Sequence, residues 1–381
     1  MEPAFALRLL SYLTPCIQVA KQLHKTVQAN IKTPGFYAES QLVSGGIFAR
    51  AIEYAAEICE VAMPEKYAVG IDFGGTKVIA GVVELSSGRL IGTGKKKTRQ
   101  PNDVSDVSKR LVAVVDEALA GAEIAQKDLA GIGIGAAGMV NREKGLLINA
   151  VNLGLSEVPL TEPLSQHYGV PAKLGNDVEV ATLGELKFGA GKGCDHFICI
   201  FVGTGIGSGI VIENKIVRGA TGTAGEIGHT ILHPNGKVCG CGAHGCLEAY
   251  ASRTAIAKTI MSEVRRGQSS VVSDKIDPTK GILRSKAISQ ALEAGDELVT
   301  RTVIDAARNM GVGLASVINL LNPKRIILGG GLVEASELYF RVATEEAFSK
   351  ALKIATKKTE IVKAGLGDYA GIVGASQLLL K

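Results

Sequence analysis

The rhythm of apolar and polar positions changes at Lys66. Before it, the stretches FALRLLSYL, VAKQLHKTV and FARAIEYAAEICEVA carry apolar residues at helical spacing. Pro15 and Pro34 interrupt them and Pro64 ends the last. From Lys66 the chain turns β-branched and nearly continuously apolar. YAVGIDFGGTKVIAGVVEL followed by GRLIGTGKKKT reads as strand, glycine turn, strand, turn, strand, which predicts an antiparallel meander. DVSDVSKRLVAVVDEALAGAEI then has helical period. LAGIGIGAAG reads as a buried strand, TEPLSQHYG as a short helix, PAKLGND as a strand and VEVATLGELKFGAG as a helix stopped by glycines.

A similar order then recurs. HFICIFVGTGIGSGIVIENKIV is strand, glycine turn, strand. Long helices follow, among them ELVTRTVIDAARNMGVGLASVINLLN. PKRIILGGGL is a strand ending in three glycines, and EIVKAGLGDYAGIVGASQLLL is a strand with a closing helix. Each half opens on a strand, a Gly-Thr turn and a second strand. The pattern predicts an α/β protein of two duplicated lobes.

Composition narrows the class. With 381 residues, 46% of them apolar, the chain can fill more than one domain core. The formal charge of +5 is spread along the sequence, so charge implies no nucleic-acid partner. In the N-terminal extension no second helix with a basic start follows a small turn residue, as a helix-turn-helix would need. The most apolar run, from His196 to Ile212, is cut by four glycines and cannot serve as a bilayer helix. Seven cysteines, an odd number, with Cys16, Cys59, Cys194 and Cys199 in scattered apolar settings, suit buried thiols in a reducing, cytoplasmic compartment.

The glycine turns carry candidate chemistry. In DFGGTK, Asp72 ends a strand, and Gly74 and Gly75 let backbone N–H groups approach a phosphate. Thr76 adds a hydroxyl, Lys77 a cation, and Asp72 can hold water on Mg2+. GTGIGSG, with Thr204 and Gly205, offers the same from the second half. ILGGG, with Gly330 and Gly331, adds a close-approach surface suited to a base or ribose. None of these is a Walker or a dinucleotide pattern. Asn176 and Asp177 lie at a strand end before a helix. They read either as a helix cap or as the floor of a cleft, where a carboxylate can take a proton from a hydroxyl. Three of the seven cysteines fall between Cys239 and Cys246, after His229 and between Glu226 and Glu248. The spacing H-x9-C-x-C-x4-C suits a metal site, with a redox pair as the rival.

DFGGTK, GND before a helix, GTGIGSG, AGEIGH and CGCGAHGCLEAYAS, in this order over residues 66 to 381, resemble the ROK family of bacterial-type sugar kinases and repressors. The resemblance implies the two-lobed actin-like ATPase (RNase H-like) fold. It divides the chain into an extension (1–65), a first lobe (66–177), a second lobe with the metal site (178–368) and a closing helix that returns to the first lobe (369–381). It implies ATP with Mg2+ as the phosphoryl donor and Asp177 as general base on a sugar 6-hydroxyl. Gly138, Asn152, Asn176, Asp177, Glu226, His229 and Glu248 would bind the sugar. Asp72, Gly74, Gly75, Thr76, Lys77, Thr204 and Gly205 would face the phosphates, and Gly330 and Gly331 the adenosine. His229, Cys239, Cys241 and Cys246 match the family's structural Zn2+ site. Val178 and Glu179 depart from the small or polar residues usual after the base and are expected to matter little.

The resulting expectation is a glucokinase that takes hexose and ATP, with neither nucleic acid nor membrane as partner, as a homodimer or homotetramer. An N-acylhexosamine kinase, for N-acetylmannosamine or N-acetylglucosamine, is the first rival. A sugar-responsive repressor using residues 1–65 is the second; the intact phosphate turn at Asp72 argues against it. Loss of metal is expected to weaken sugar binding more than nucleotide binding, whose turns lie elsewhere in the sequence.

Overall fold

The computed structural model describes residues 67–75, 77–97, 104–150, 154–276 and 283–380. The expected extension, together with Thr76 and Asn152, lies outside them. The first sheet contains β1 (Tyr67–Phe73), β2 (Lys77–Glu84), β3 (Leu90–Lys97), β4 (Leu129–Ala136) and β8 (Ala172–Asn176), in the order β3-β2-β1-β4-β8. The meander is present: β1 with β2, and β2 with β3, are antiparallel. β4 runs parallel to β1, and β8 parallel to β4.

A second sheet repeats this plan. It contains β9 (His196–Val202), β10 (Ile206–Ile212), β11 (Lys215–Ile216), β12 (Arg325–Gly329) and β13 (Glu360–Lys363), ordered β11-β10-β9-β12-β13. β9–β10 is antiparallel, while β9–β12 and β12–β13 are parallel. The duplication read from pattern therefore holds at the level of topology. β5 (Met139–Asn141), β6 (Leu146–Ala150) and β7 (Leu155–Pro159) form a small antiparallel sheet that the pattern did not announce. Its strands are short and leave Met139 and Ile148 exposed, so no alternation marks them.

The described helices are α1 (Val104–Ala122), α2 (Thr161–Tyr168), α3 (Asp177–Phe188), α4 (Glu248–Ala251), α5 (Arg253–Arg265), α6 (Ser285–Glu293), α7 (Glu297–Leu321), α8 (Gly331–Ala335), α9 (Glu337–Lys350), α10 (Lys353–Thr356) and α11 (Ala370–Ser376). α7 starts where the Asp296 carboxylate accepts the Val299 N–H and ends at Asn322, in the left-handed region at φ 44°. Its buried stripe, Leu298, Val303, Met310, Leu314 and Ile318, packs into one core with Ile198, Ile200 and Val202 of β9. Each such fully buried aliphatic side chain contributes about 1.5–3 kcal/mol. Among the described residues no helix is long and apolar enough to cross a membrane.

α11 lies unusually close to its neighbours. A Cβ on Gly70 of β1 would sit 1.9 Å from the Ile372 carbonyl oxygen, and one on Gly133 of β4 1.8 Å from that of Ala375. A Cβ on Gly374 itself would sit 1.6 Å from the carbonyl oxygen of Val180 in α3. Backbone therefore meets backbone on both sides of α11, and only glycine admits it. Gly374→Ala should cost at least about 2 kcal/mol in urea unfolding. Gly203→Ala, where a Cβ meets nothing within 4 Å, should stay within about 0.5 kcal/mol. Equal stabilities for the two variants would contradict this packing.

Candidate functional site

Sheet register brings the first two acids together. Asp72 of β1 pairs with Gly135 of β4, which pairs with Gly175 of β8; one step on, Phe73, Ala136 and Asn176 are aligned. The parallel strands thus end level, and Asp72 and Asp177 emerge at the same carboxyl edge, where open α/β sheets place ligands. Asp177 begins α3, and its Oδ1 accepts the Val178 N–H at 2.9 Å. Burial, aided by the charge of Asp72, pushes its pKa up to about 6. Burial also raises that of Asp72, where Lys77 opposes the shift and Asp368 adds to it.

Asn176 is the N-cap of α3. Its Oδ1 accepts from Val178 N at 2.9 Å and Glu179 N at 3.2 Å. Its Nδ2 donates to the Gly138 carbonyl at 3.2 Å. The cap reading of this residue is thus realised, and the same amide ties α3 to the turn before β5. Gly138 itself, at φ 131°, has no room for a side chain, because a Cβ would lie 2.4 Å from the Asn149 carbonyl.

α3 also touches the second glycine turn. A Cβ on Gly207 would lie 2.5 Å from Val178 Cγ2, and one on Gly209 2.2 Å from Thr182 Oγ1. The start of β10, just past Thr204 and Gly205, is therefore pressed against the first turns of α3. In the first turn, Gly74 N donates to Lys77 O at 3.1 Å and Gly75 is exposed. Gly330, at φ 88°, abuts the end of β9: a Cβ there would be 2.6 Å from Val202 O. Gly331 opens α8.

His229, Cys239, Cys241 and Cys246 form a group that could hold a metal ion, with one ligand atom from each all within 4.8 Å of one another. Cys239 Sγ lies 3.7 Å from His229 Nδ1, and Cys241 Sγ 3.7 Å from Cys246 Sγ. A tetrahedron with metal–sulfur bonds of about 2.3 Å has edges of about 3.7 Å, so the donor set fits. The cysteines are free thiols rather than disulfides. Glu226 is exposed. Glu248 opens α4, and its Oε2 accepts the Ile206 N–H at 2.8 Å; a Cβ on Gly205 would meet that same oxygen at 2.3 Å. Distant in sequence, the Glu248 carboxylate is thus packed on the second glycine turn.

One correction concerns Glu179. Expected to matter little, it is buried, with 7% of its side chain exposed. Its Oε2 accepts from Arg142 Nε at 2.8 Å and from Arg142 Nη2, and its Oε1 accepts from Arg218 Nε at 2.7 Å. Arg142 lies between β5 and β6, and Arg218 follows β11, so one carboxylate on α3 ties a hairpin beside the first sheet to the edge of the second. Nothing local in the sequence signals this, because the partners lie 37 and 39 residues away.

The ROK family model matches residues 68–381. A glucokinase of Halalkalibacterium halodurans is 32% identical over 318 residues, covering 83% of this chain and 96% of that protein. The crystal structure of a ROK family glucokinase from Streptomyces griseus, in complex with glucose and AMPPNP, is 34% identical with a TM-score of 0.71, covering 82% of this chain and 98% of that one. A ROK family transcriptional regulator, a homologue of the E. coli MLC protein, is 26% identical with a TM-score of 0.72, covering 83% of this chain and 78% of its own.

Glu179→Gln removes the charge shared by two guanidinium groups. Arg142 and Arg218 keep 28% and 53% of their side chains exposed, which moderates the cost. The substitution should destabilise by about 1–3 kcal/mol. In a double-mutant cycle with Arg142→Met, the two changes should be clearly non-additive in urea unfolding. Simple additivity would mean that the ion pair contributes nothing.

Proposed function

The chain belongs to the ROK family, and on that premise we propose that it is an ATP-dependent hexose kinase acting on the 6-hydroxyl of glucose. The observation that carries this reading is the place of Asp177. It is a carboxylate ionising near pH 6, at the edge where β1 and β8 end and where α3 meets the strand after the second Gly-Thr turn. At neutral pH it is ionised and can act as a base toward a hydroxyl proton. In the proposed step Asp177 takes the 6-hydroxyl proton, the oxygen attacks the γ-phosphorus, and the bond to the β–γ bridging oxygen breaks, releasing ADP. Gly74, Gly75, Thr76, Lys77, Thr204 and Gly205 position the phosphates. Mg2+, with Asp72 holding its water, would neutralise charge developing on them.

Gly138, Asn152, Asn176, Glu226, His229 and Glu248 are the proposed sugar contacts. The Cys/His group suits a structural Zn2+: three thiolates and an imidazole leave no open position. Bound through Nδ1, the metal would leave His229 Nε2 for a sugar hydroxyl and fix the loop that leads into Glu248. A second reading, a sugar-responsive regulator, draws on the regulator of like fold. The intact phosphate turn at Asp72, Gly74 and Gly75 favours the kinase.

A coupled assay over a panel of hexoses should give the highest kcat/KM with glucose. Faster turnover of N-acetylmannosamine or N-acetylglucosamine would move the assignment to an N-acylhexosamine kinase. A gel shift without kinase activity would move it to the regulator.

Asp177→Asn should lower kcat by about 10²–10⁴ and weaken sugar binding less. Since the base must be ionised, wild-type kcat/KM for sugar should fall as pH drops through about 6. A flat profile from pH 8 to 5 would refute the role.

Metal analysis should find about one zinc per chain, and Cys241→Ser should lose most of it. Chelation should then lower sugar affinity measured by calorimetry. A zinc-free protein with full sugar affinity would remove the metal from the sugar wall.

A further inference from the structure

One cation beside the second glycine turn has no role in the site as so far described. Arg253 is the first residue of α5. Ser252, almost wholly buried, caps the helix by accepting the Ala255 N–H at 3.1 Å. The Arg253 N–H donates to Gly203 O at 3.0 Å, and Thr254 Oγ1 donates to Thr204 O at 2.7 Å. The helix start is thereby clamped to the Gly203–Gly205 turn by two consecutive residues, Arg253 and Thr254, and the Arg253 side chain leaves the backbone beside it.

The guanidinium then spans the cleft wall. Nη2 donates to Thr204 Oγ1 at 2.7 Å, and Nη1 donates to Ser285 Oγ at 3.2 Å. Ser285 opens α6, and its Oγ would lie 3.2 Å from a Cβ placed on Gly331. Arg253 therefore reaches from the turn proposed to meet phosphate to the glycines proposed to meet adenosine. Among the described residues no carboxylate pairs with it. Its hydrogen-bonding side-chain partners are two neutral hydroxyls, and burial depresses its proton affinity with no acidic neighbour to offset it. A half-buried guanidinium in this state is under-neutralised, and its planar fork of donors matches phosphate oxygens. Both hydroxyls can rotate to bond the same anion. Lys77 serves the first turn; Arg253 is its counterpart at the second.

We propose that Arg253, with Thr204 and Ser285, binds the β- and γ-phosphates of the phosphoryl donor and so makes this cleft select polyphosphorylated donors over a monophosphate. The proposal rests on the reading of the cleft as a nucleotide site. Its binding energy comes from charge-assisted hydrogen bonds that a nucleoside monophosphate cannot reach. Arg253 acts as a donor-binding residue and takes no part in proton transfer.

The test is calorimetry of AMPPNP, ADP and AMP, each with Mg2+, on the full chain as wild type, Arg253→Gln and Arg253→Lys. Arg253→Gln should weaken AMPPNP and ADP by about ten- to hundredfold, the loss of hydrogen bonds to a charged group, and leave AMP unchanged. Arg253→Lys should recover part of the loss. Inorganic tripolyphosphate should displace AMPPNP from the wild type and far less well from Arg253→Gln. Glucose affinity, measured on the same preparations, should not change, which shows that the variants are folded. Equal weakening of AMP and ADP, or no weakening of either, would overturn the proposal while leaving the kinase reading intact. A wild-type protein that binds none of the three nucleotides would overturn both.

Discussion

The architecture hangs on the contact of α11 with β1, β4 and α3, made without side chains. Gly70, Gly133 and Gly374 let carbonyl oxygens approach to where a Cβ would otherwise be, so α11 is seated at a separation that a methyl group would widen. The same helix adds Ile372 to the small core of Ile79 and Val83 on the far face of the meander. Just before it, Gly365 N and Leu366 N donate to the fully buried Glu185 of α3 at 3.0 and 2.9 Å. A carboxylate satisfied by backbone N–H groups is a strong anchor. α3, which carries Asp177 at its start, is thus held at both ends by geometry with little slack, a condition for placing a reacting group well.

The charges of the cleft follow from this seating. Asp72 and Asp177 are drawn into one low-polarity edge, where burial raises both pKa values; the charge of Asp72 adds to the shift at Asp177, and that of Asp368 to the shift at Asp72. Glu179, two residues along α3, meets two guanidinium groups instead. Neighbouring acids on one helix turn therefore have opposite environments: one is left under-compensated, where a proton acceptor is useful, and the other is saturated, where a clasp is needed.

Much of this was legible in the sequence, for identifiable reasons. β1, β2, β9 and β12 are short apolar runs with glycines close by in the turns that flank them, so pattern and punctuation agree. The Cys/His group was legible because its donors are local, from His229 to Cys246. What was not legible was set by register and by distant partners. No single stretch says that Phe73 and Asn176 end level across β4, that Arg142 and Arg218 converge on Glu179, or that Arg253 bridges Thr204 and Ser285. β5, β6 and β7 escaped notice because three to five residues with mixed exposure carry no period.

The hydrogen bond from Ile206 N to the Glu248 carboxylate has a thermodynamic meaning beyond its geometry. It makes one side chain common to the proposed sugar contacts and to the strand that follows the second glycine turn. Two ligands that bias the same group are linked, and linkage is reciprocal: whatever factor the sugar adds to nucleotide affinity, the nucleotide must add to sugar affinity. A metal that fixes the loop ahead of Glu248 would then set the size of that shared factor as well as the sugar affinity. In such a chain the two substrates report on each other at equilibrium, before any phosphoryl group has moved.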